Sequence, residues 1–319
     1  MRLDIHAHCF PTEYLDLLER FGSHSARGGR DLLAGTDAAG LEARFQMMAR
    51  AGVDRQVLSV GPQVPAFEDE SRSVTGARLA NDLYAEIVRL YPDRFLAFAV
   101  TPLPHVGAAL TELSRGLDEL HMAGVTTTTS ILGRSLADPG FEPFFAELDR
   151  RGAVLFLHPA GTGFGEQTNL LGLTWIVGAP FEDTAAALHL LLSGLTTRYP
   201  NIHVIVPHLG GTLPFLLARV DSLWNPGASS LIQEPPSVLA RRLWYDTVSH
   251  GSAAALRCAC AVLGADRLVL GSDYPYLQGE KYQRAITYVQ DSGLPSADAA
   301  AILDGNAPRL LGLESQRAD

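Results

Sequence analysis

The sequence predicts an α/β fold, a (β/α)8 barrel of the TIM type, and three observations support that prediction. Short strand-like segments alternate with helical segments eight times along the 319 residues. Several strand segments are continuous apolar runs, which is typical of parallel sheets buried on both faces. No Gly-x-Gly-x-x-Gly follows the first strand, so the alternative, an open doubly wound sheet with a nucleotide site, lacks support. We therefore expect one barrel domain over residues 1–319, with loop insertions at about 11–41 and 159–175.

The eight strands are recognised by β-branched and apolar composition. They are predicted at residues 3–8, 55–60, 95–100, 125–129, 154–158, 204–208, 243–247 and 268–273. In the first strand, strict alternation would turn His6 and His8 to the inner face and the apolar residues between them towards helices. Asp4 has the same parity as His6, and we expect it to be a buried hydrogen-bonding partner one layer below.

Helices are predicted where apolar residues recur every three or four positions, and several of them end at a glycine. They cover residues 41–51, 74–90, 106–121, 139–151, 214–223 and 252–263, with one long helix running to residue 195 and further helices within 282–311. The segments 11–41 and 159–175 are predicted as glycine-rich loops, the first with a short helix near 13–21.

Composition and charge restrict the class of partner. The net charge is −10, and nucleic acids and anionic membranes attract basic surfaces, so we expect neither as a partner. No apolar run is long enough to span a bilayer, and polar residues at positions 4, 6 and 8 interrupt any amino-terminal signal sequence. The three cysteines form no disulfide framework, which is typical of a cytoplasmic protein.

Five groups able to bind a metal or transfer a proton stand at predicted strand ends, where barrel enzymes carry their active sites. They are His6, His8, His158, His208 and Asp273. Three of the imidazoles, His6, His8 and His158, with the carboxylate of Asp273 favour one divalent ion, zinc first, with manganese or iron as alternatives. His208 is expected to be a general acid/base, or else a fifth ligand.

Other residues are candidates for contact with a substrate. His250 follows the seventh strand and can reach the same mouth, although a loop histidine without function is equally expected. Trp175, with the loop around Phe164, could supply apolar walls for a ring. A second metal bridged by a carboxylated lysine is disfavoured, because the only lysine, Lys281, ends no strand.

Several motifs, in order along nearly the whole chain, resemble those of the amidohydrolase-2 family, in the branch that contains aminocarboxymuconate-semialdehyde, γ-resorcylate and 6-methylsalicylate decarboxylases. The motifs are Asp4-Ile5-His6-Ala7-His8 with Pro11, Leu157-His158-Pro159, Trp175-Ile176-Val177-Gly178 with Asp183-Thr184, Pro207-His208-Leu209-Gly210-Gly211 with Pro214-Phe215, and Gly271-Ser272-Asp273-Tyr274-Pro275. The resemblance implies a distorted barrel of the metal-dependent amidohydrolase type. In it, the same three histidines and Asp273 would bind the metal, and His208 would be catalytic.

The resemblance also implies a partner subunit. Arg219 falls where the semialdehyde decarboxylase has an arginine that reaches the substrate carboxylate from the neighbouring subunit, which implies a homodimer. The alternative is an ordinary exposed helix arginine. The segment 21–41 is shorter than in that enzyme, and Gly133-Arg134, Asp138-Pro139 and Tyr245-Asp246-Thr247 look more similar to the salicylate-type decarboxylases.

We therefore predict a metal-dependent, non-oxidative decarboxylase (a carboxy-lyase) with no organic cofactor. Its substrate would be a small hydroxylated aromatic or related unsaturated carboxylic acid. His208 or Asp273 would protonate the carbon that loses carbon dioxide. The same site would also suit hydrolysis of a lactone or amide, or hydration of a double bond, because fold does not fix function. A protein that binds metal or ligand without turnover is the remaining alternative.

Overall fold

The computed structural model describes residues 1–23, 26–32, 34–163, 165–226 and 231–313. Eight parallel strands pair in the order of the chain. They are β1 Leu3–His8, β2 Arg55–Ser59, β3 Phe95–Val100, β4 Gly124–Thr128, β5 Val154–His158, β6 His203–Val206, β7 Trp244–Asp246 and β8 Leu268–Val269. The segment after β8 returns to β1, where the backbone N–H of Ile5 donates to the carbonyl of Leu270 and that of Asp273 to the carbonyl of His6, each at 2.8 Å. The sheet therefore closes into the predicted barrel.

Helices surround the barrel and connect its strands. Within the described residues the α-helices are Thr12–Arg20, Ala26–Asp31, Ala38–Ala51, Glu70–Leu90, Val106–Ser114, Glu142–Arg151, Glu166–Asn169, Ala179–Leu192, Leu195–Arg198, Leu213–Leu223, Pro236–Ala240, Ala253–Leu263, Glu280–Gln290, Ser296–Ala300 and Asn306–Leu310. Among them, none is long and apolar enough to cross a membrane.

Side chains from seven strands fill the barrel interior. Leu3, Ile5, Val57, Phe98 and Phe156 belong to this cluster, and residues of the carboxyl-terminal helix Asn306–Leu310 join it. A larger apolar cluster lies between the outer faces of the strands and the helices. The interior is thus a packed core, and the open space for a site lies above it, at the carboxyl ends of the strands.

The predicted alternation of β1 is wrong in part. Its pairing with β2 shifts register between Asp4 and Ala7, as a β-bulge does. Ile5 lies in the interior cluster, and the ring of His6 also faces inward, 4.9 Å from the ring of Phe156 between centroids. Asp4 instead faces outward. The extra residue in the bulge turns His6 and His8 inward above an apolar layer.

Asp4 is fully buried, as predicted, but its partners lie on the outer side of the sheet. Its carboxylate accepts hydrogen bonds from the Oγ of Ser272 at 2.6 Å and from the amide of Gln56 at 2.8 Å. Gln56 in turn accepts from the guanidinium of Arg44, which is 2% exposed and also donates to the carbonyl of His8 at 2.9 Å. This buried polar layer ties β1 to β2 and to the segment after β8.

Three other expectations need correction. The segment 11–41 contains two complete helices before Ala38–Ala51, where one was predicted. The long helix predicted to run to residue 195 ends at Leu192, because Gly194 adopts a left-handed φ of 72° and starts the separate helix Leu195–Arg198. The eighth strand ends at Val269, four residues earlier than predicted, and the chain turns at Asp273, whose φ is 61°. The prediction of a single domain stays a prediction.

Candidate metal centre

Four side chains converge at the carboxyl ends of β1 and β5 and in the turn after β8. Nε2 of His6 and Nε2 of His8 are 3.1 Å apart, and Oδ1 of Asp273 lies 3.3 Å from the first and 3.2 Å from the second. With His158, these residues form a buried group in which one ligand atom from each lies within 4.8 Å of the others. Residues separated by more than 260 positions in the sequence thus meet at one point.

The hydrogen bonds of two imidazoles leave their Nε2 atoms available to a cation. Nδ1 of His6 donates to Oδ2 of Asp246 at 2.6 Å, and Nδ1 of His158 donates to the carbonyl of Pro159 at 3.0 Å. In a neutral ring the lone pair then lies on Nε2. Nε2 of His158 is buried and has no hydrogen-bond partner among the described residues.

The distances also fit a metal. Two ligand atoms that each lie about 2.1 Å from one ion are about 3.0 Å apart in octahedral and about 3.4 Å apart in tetrahedral coordination. The separations among His6, His8 and Asp273 are 3.1–3.3 Å. A buried, unpartnered nitrogen and this spacing together show that the residues present fit a divalent ion.

Electrostatics favour a positive charge at the centre of the group. Burial lowers the pKa of His8 to about 4 and lowers the pKa of His158 well below its ordinary value, so both rings are neutral, as metal ligands must be. Burial also lowers the pKa of His6, but the negative charge of Asp246 outweighs it and raises the pKa to about 10. A cation bound here would balance the negative charge of Asp246 and Asp273, as a proton on His6 does.

Two glycines let the backbone approach the imidazoles closely. A Cβ on Gly61, two residues after the end of β2, would lie 2.9 Å from Cβ and Cγ of His158. A Cβ on Gly271 would lie 2.9 Å from Cβ of Asp246 and 3.0 Å from Cβ of His6. Side chains at these two positions would therefore displace members of the group.

His208 lies beside the group in the turn after β6 and is held by a carboxylate of its own. Its Nδ1 donates to Oδ2 of Asp183 at 2.8 Å, and its ring centroid is 5.3 Å from that of His6. Burial lowers the pKa of His208, but the charge of Asp183 outweighs this and raises it above the ordinary value. Burial raises the pKa of Asp183 to about 6. The group of four that fits a metal does not include His208, which favours the acid/base role over that of a fifth ligand.

Sequence reasoning gave Asp246 and Asp183 no role in the chemistry, although both lay in the motifs that carried the resemblance. Asp246 ends β7, and its Oδ1 accepts the backbone N–H of His208 and of Val248, each at 2.9 Å, while its Oδ2 holds His6. The signal was a carboxylate at the end of an apolar strand, the same rule that selected the histidines. Asp183 sits inside helix Ala179–Leu192, and no strand-end rule points to it.

A cavity of about 860 Å³ opens above these side chains. His158, His208 and Asp273 form its floor, and two of the predicted contact residues, Trp175 and His250, line its walls. Arg219 does not line it, and lies exposed on helix Leu213–Leu223. Phe164 is outside the described residues. Its role as part of an apolar wall stays a prediction.

Comparison with known proteins agrees with this geometry. The amidohydrolase family model (Amidohydro_2) matches residues 3–313, and the chain therefore belongs to the amidohydrolase family. It is 26% identical over 337 residues to 2-amino-3-carboxymuconate-6-semialdehyde decarboxylase of Dictyostelium discoideum, covering 99% of this chain and 93% of that protein. It is 29% identical over 293 residues to the γ-resorcylate decarboxylase of Rhizobium sp. (strain MTP-10005), covering 86% of this chain and 87% of the relative.

A solved structure extends the likeness to the fold. The crystal structure of 5-carboxyvanillate decarboxylase from Sphingomonas paucimobilis superposes with a TM-score of 0.85 at 25% identity, over 98% of this chain and 99% of that one. The predicted family and barrel are thereby confirmed, and the predicted enzyme class, a carboxy-lyase of this superfamily, is the class of all three proteins.

Proposed function

We propose that this protein is a metal-dependent, non-oxidative decarboxylase of a hydroxylated aromatic carboxylic acid. The observation that carries the proposal is one arrangement, in which a buried group fitted to a divalent ion lies beside a carboxylate-held histidine on the floor of an apolar cavity. Among the three proteins above, those named for γ-resorcylate and 5-carboxyvanillate act on hydroxylated aromatic acids, which supports this substrate class over the muconate.

His6, His8, His158 and Asp273 would hold the ion, which we propose to be zinc with manganese as the alternative, because three imidazoles and one carboxylate suit both. A divalent ion there supplies Lewis-acid polarisation of the substrate oxygens. No organic cofactor is required, since the electron pair of the broken bond passes into a ring that its hydroxyl group activates.

The remaining chemistry belongs to the protein. The bond between the ring carbon and the carboxylate breaks, carbon dioxide leaves, and the ring carbon takes a proton. His208 is better suited to donate it than Asp273. Asp183 raises the pKa of the imidazole above its ordinary value, which favours the protonated form of His208. Burial acts to raise the pKa of Asp273, but hydrogen bonds and charge from His6 and His8 outweigh it and hold that pKa well below the ordinary value.

Substrate contacts follow from the cavity. Trp175 would pack against the ring and His250 would reach polar groups at the mouth, since both side chains line the cavity. Arg219 would contact a substrate carboxylate only from a second copy of the chain, so its role requires the homodimer. We propose a cytoplasmic enzyme because the three cysteines are free and one of them is buried, as in proteins of a reducing compartment.

The test is product chemistry. Protein loaded with zinc or manganese is incubated with hydroxybenzoates, and carbon dioxide is measured together with the decarboxylated phenol. His208→Asn should lower the rate about 100-fold or more while metal content stays the same. Ring opening of a lactone would instead support a hydrolase. Addition of water without loss of carbon would support a hydratase.

A matched control is available. His121 is exposed, precedes β4 at the opposite end of the barrel, and has a φ of 53°, close to the 54° of His208. Asparagine tolerates this backbone region, so both substitutions preserve the local fold. His121→Asn should retain full activity. Equal loss in the two variants would refute a chemical role for His208.

A further inference from the structure

We propose that the substrate carries an apolar substituent on its ring and that the outer wall of the cavity selects it. This inference rests on the proposed function and narrows it to one class of substrate, monocarboxylic hydroxyaryl acids with an alkyl or aryl arm. The wall is formed by Trp175, Ile176, Pro214 and Phe215, and we call it the apolar wall.

The cavity is larger than a one-ring acid requires. Sites for drug-sized ligands span roughly 300–1,000 Å³. At about 860 Å³ this cavity lies near the upper end of that range. A hydroxybenzoate held at the floor by His208 and the metal-fitting group would leave most of the cavity unfilled. Ala255 and Cys258 of helix Ala253–Leu263 also line the cavity.

The apolar wall includes three large hydrophobic side chains that are half-exposed or more. Trp175 is 51% exposed, Ile176 69% and Phe215 81%. Covering such area with an apolar group of a ligand stabilises the complex, because the apolar surface is removed from water. Because these residues border the cavity that holds the catalytic floor, a ligand bound there can supply that cover.

Trp175 packs on a loop whose backbone is tied to a buried carboxylate. A Cβ on Gly161 would lie 2.6 Å from the indole, so the ring packs directly on the glycine backbone. The carboxylate of Glu182, itself buried, accepts the backbone N–H of Ala160 at 2.7 Å, of Gly161 at 3.2 Å and of Gly163 at 2.7 Å. This fixed loop gives the wall a defined position opposite the floor.

Charge supports the same conclusion. The described residues that line the cavity include no arginine or lysine. One carboxylate can be neutralised at the floor, by the metal-fitting group and His208. A second carboxylate on the substrate would face the apolar wall without a cationic partner among the described lining residues of the same subunit, which costs free energy on desolvation. Arg219, the nearest candidate from the sequence, lies outside the lining.

The experiment compares a graded series of acids on the metal-loaded, full-length protein. The probes are 2-hydroxybenzoates with a methyl, propyl or pentyl group at ring position 6, and one with a carboxylate in place of the alkyl group. We expect kcat/KM to rise about three- to four-fold per buried methylene, mostly through KM, and to be lowest for the dicarboxylate. Equal values across the alkyl series, or preference for the dicarboxylate, would overturn the inference.

Substitutions in the apolar wall test whether this wall causes the rise of kcat/KM with alkyl chain length. Ile176→Ala and Phe215→Ala should each flatten the dependence of kcat/KM on chain length while leaving turnover of the methyl compound within a few-fold. Leu171→Ala is the matched control, because Leu171 is 93% exposed in the same segment but does not line the cavity. An unchanged alkyl preference in both wall variants would also overturn the inference.

The outcome separates this inference from the proposed function. If none of the acids loses carbon dioxide, the proposed decarboxylase is wrong, and calorimetric binding of the same series to the metal-loaded protein then decides the inference alone. Affinity that rises with chain length supports an apolar arm. Affinity that is independent of chain length rejects it.

Discussion

Replacing Asp246 by asparagine tests how the metal-binding group is held, because the change removes a charge and almost no volume. The carboxylate uses both oxygens. Oδ1 accepts two backbone N–H groups, from His208 and Val248, and Oδ2 accepts from Nδ1 of His6. An amide has one oxygen. If that oxygen stays on the two N–H groups, the amide NH2 faces Nδ1 of His6 and moves the ring proton to Nε2, which can then no longer bind a metal.

The magnitude follows from this tautomer change. Loss of a partner that orients a ligating histidine costs about 10- to 100-fold in metal affinity, or about 1.4–2.7 kcal/mol. Since Asp246 is fully buried and its hydrogen bond to His6 is 2.6 Å long, we expect the upper half of that range. The assay is competition with a chromophoric chelator, which gives a dissociation constant for each variant.

The control for Asp246→Asn is Asp37→Asn. Asp37 accepts the backbone N–H of Gly40 at 2.9 Å and caps helix Ala38–Ala51, where asparagine is an equally good cap. Its metal affinity should equal that of the wild type. A folded Asp246→Asn protein whose metal affinity is within two-fold of wild type would refute the reasoning.

Three further substitutions test other parts of the site. Gly61→Ala places a Cβ 2.9 Å from the side chain of His158, and overpacking of about 1–3 kcal/mol should weaken metal binding at least five-fold, measured as metal per chain after dialysis. Asp183→Asn removes the charge that raises the pKa of His208, so the pH above which activity falls should move downward in a pH profile of kcat. Glu182→Gln takes away one acceptor oxygen from a loop that uses both, and should raise KM about five- to ten-fold with a smaller change in kcat.

Each of these has a matched control elsewhere in the chain. Gly107→Ala meets no atom within 4 Å and should keep its metal. Asp149→Asn alters a surface carboxylate that bonds to Asn201 and should leave the pH profile unchanged. Glu147→Gln alters a surface carboxylate that bonds to two arginines and should leave KM unchanged. Three results would each contradict the role assigned to the residue concerned. They are full metal content in Gly61→Ala, a kcat profile of Asp183→Asn that falls at the same pH as in the wild type, and an unchanged KM in Glu182→Gln.

The barrel could be predicted from the sequence because each strand and helix is indicated by its own local composition, and this alternation repeats eight times. Eight strands each carry their own composition, and the rule that barrel sites lie at strand ends turned scattered histidines into one group. His158 and Asp273 were paired with the first strand on that rule alone, and the structure brings them together. The assignment of these residues as ligands stays a prediction until a metal is measured.

What the sequence could not predict depends on contacts between distant segments. The bulge in β1 comes from pairing with β2, and a period of two, read on one strand, cannot reveal it. The partnership of Asp183 with His208 depends on how helix Ala179–Leu192 packs beside the turn after β6. The left-handed residue Gly194 also breaks a helix whose apolar pattern continues, so composition alone overestimates its length.

The measurement that tests the central claim most directly is the metal itself, located in crystals of the full chain by anomalous scattering and counted by elemental analysis. The account predicts one divalent ion per chain, bound by Nε2 of His6, His8 and His158 and by the carboxylate of Asp273, with activity lost to a chelator and restored by zinc or manganese. An active protein that holds no metal and is unaffected by chelators would contradict it.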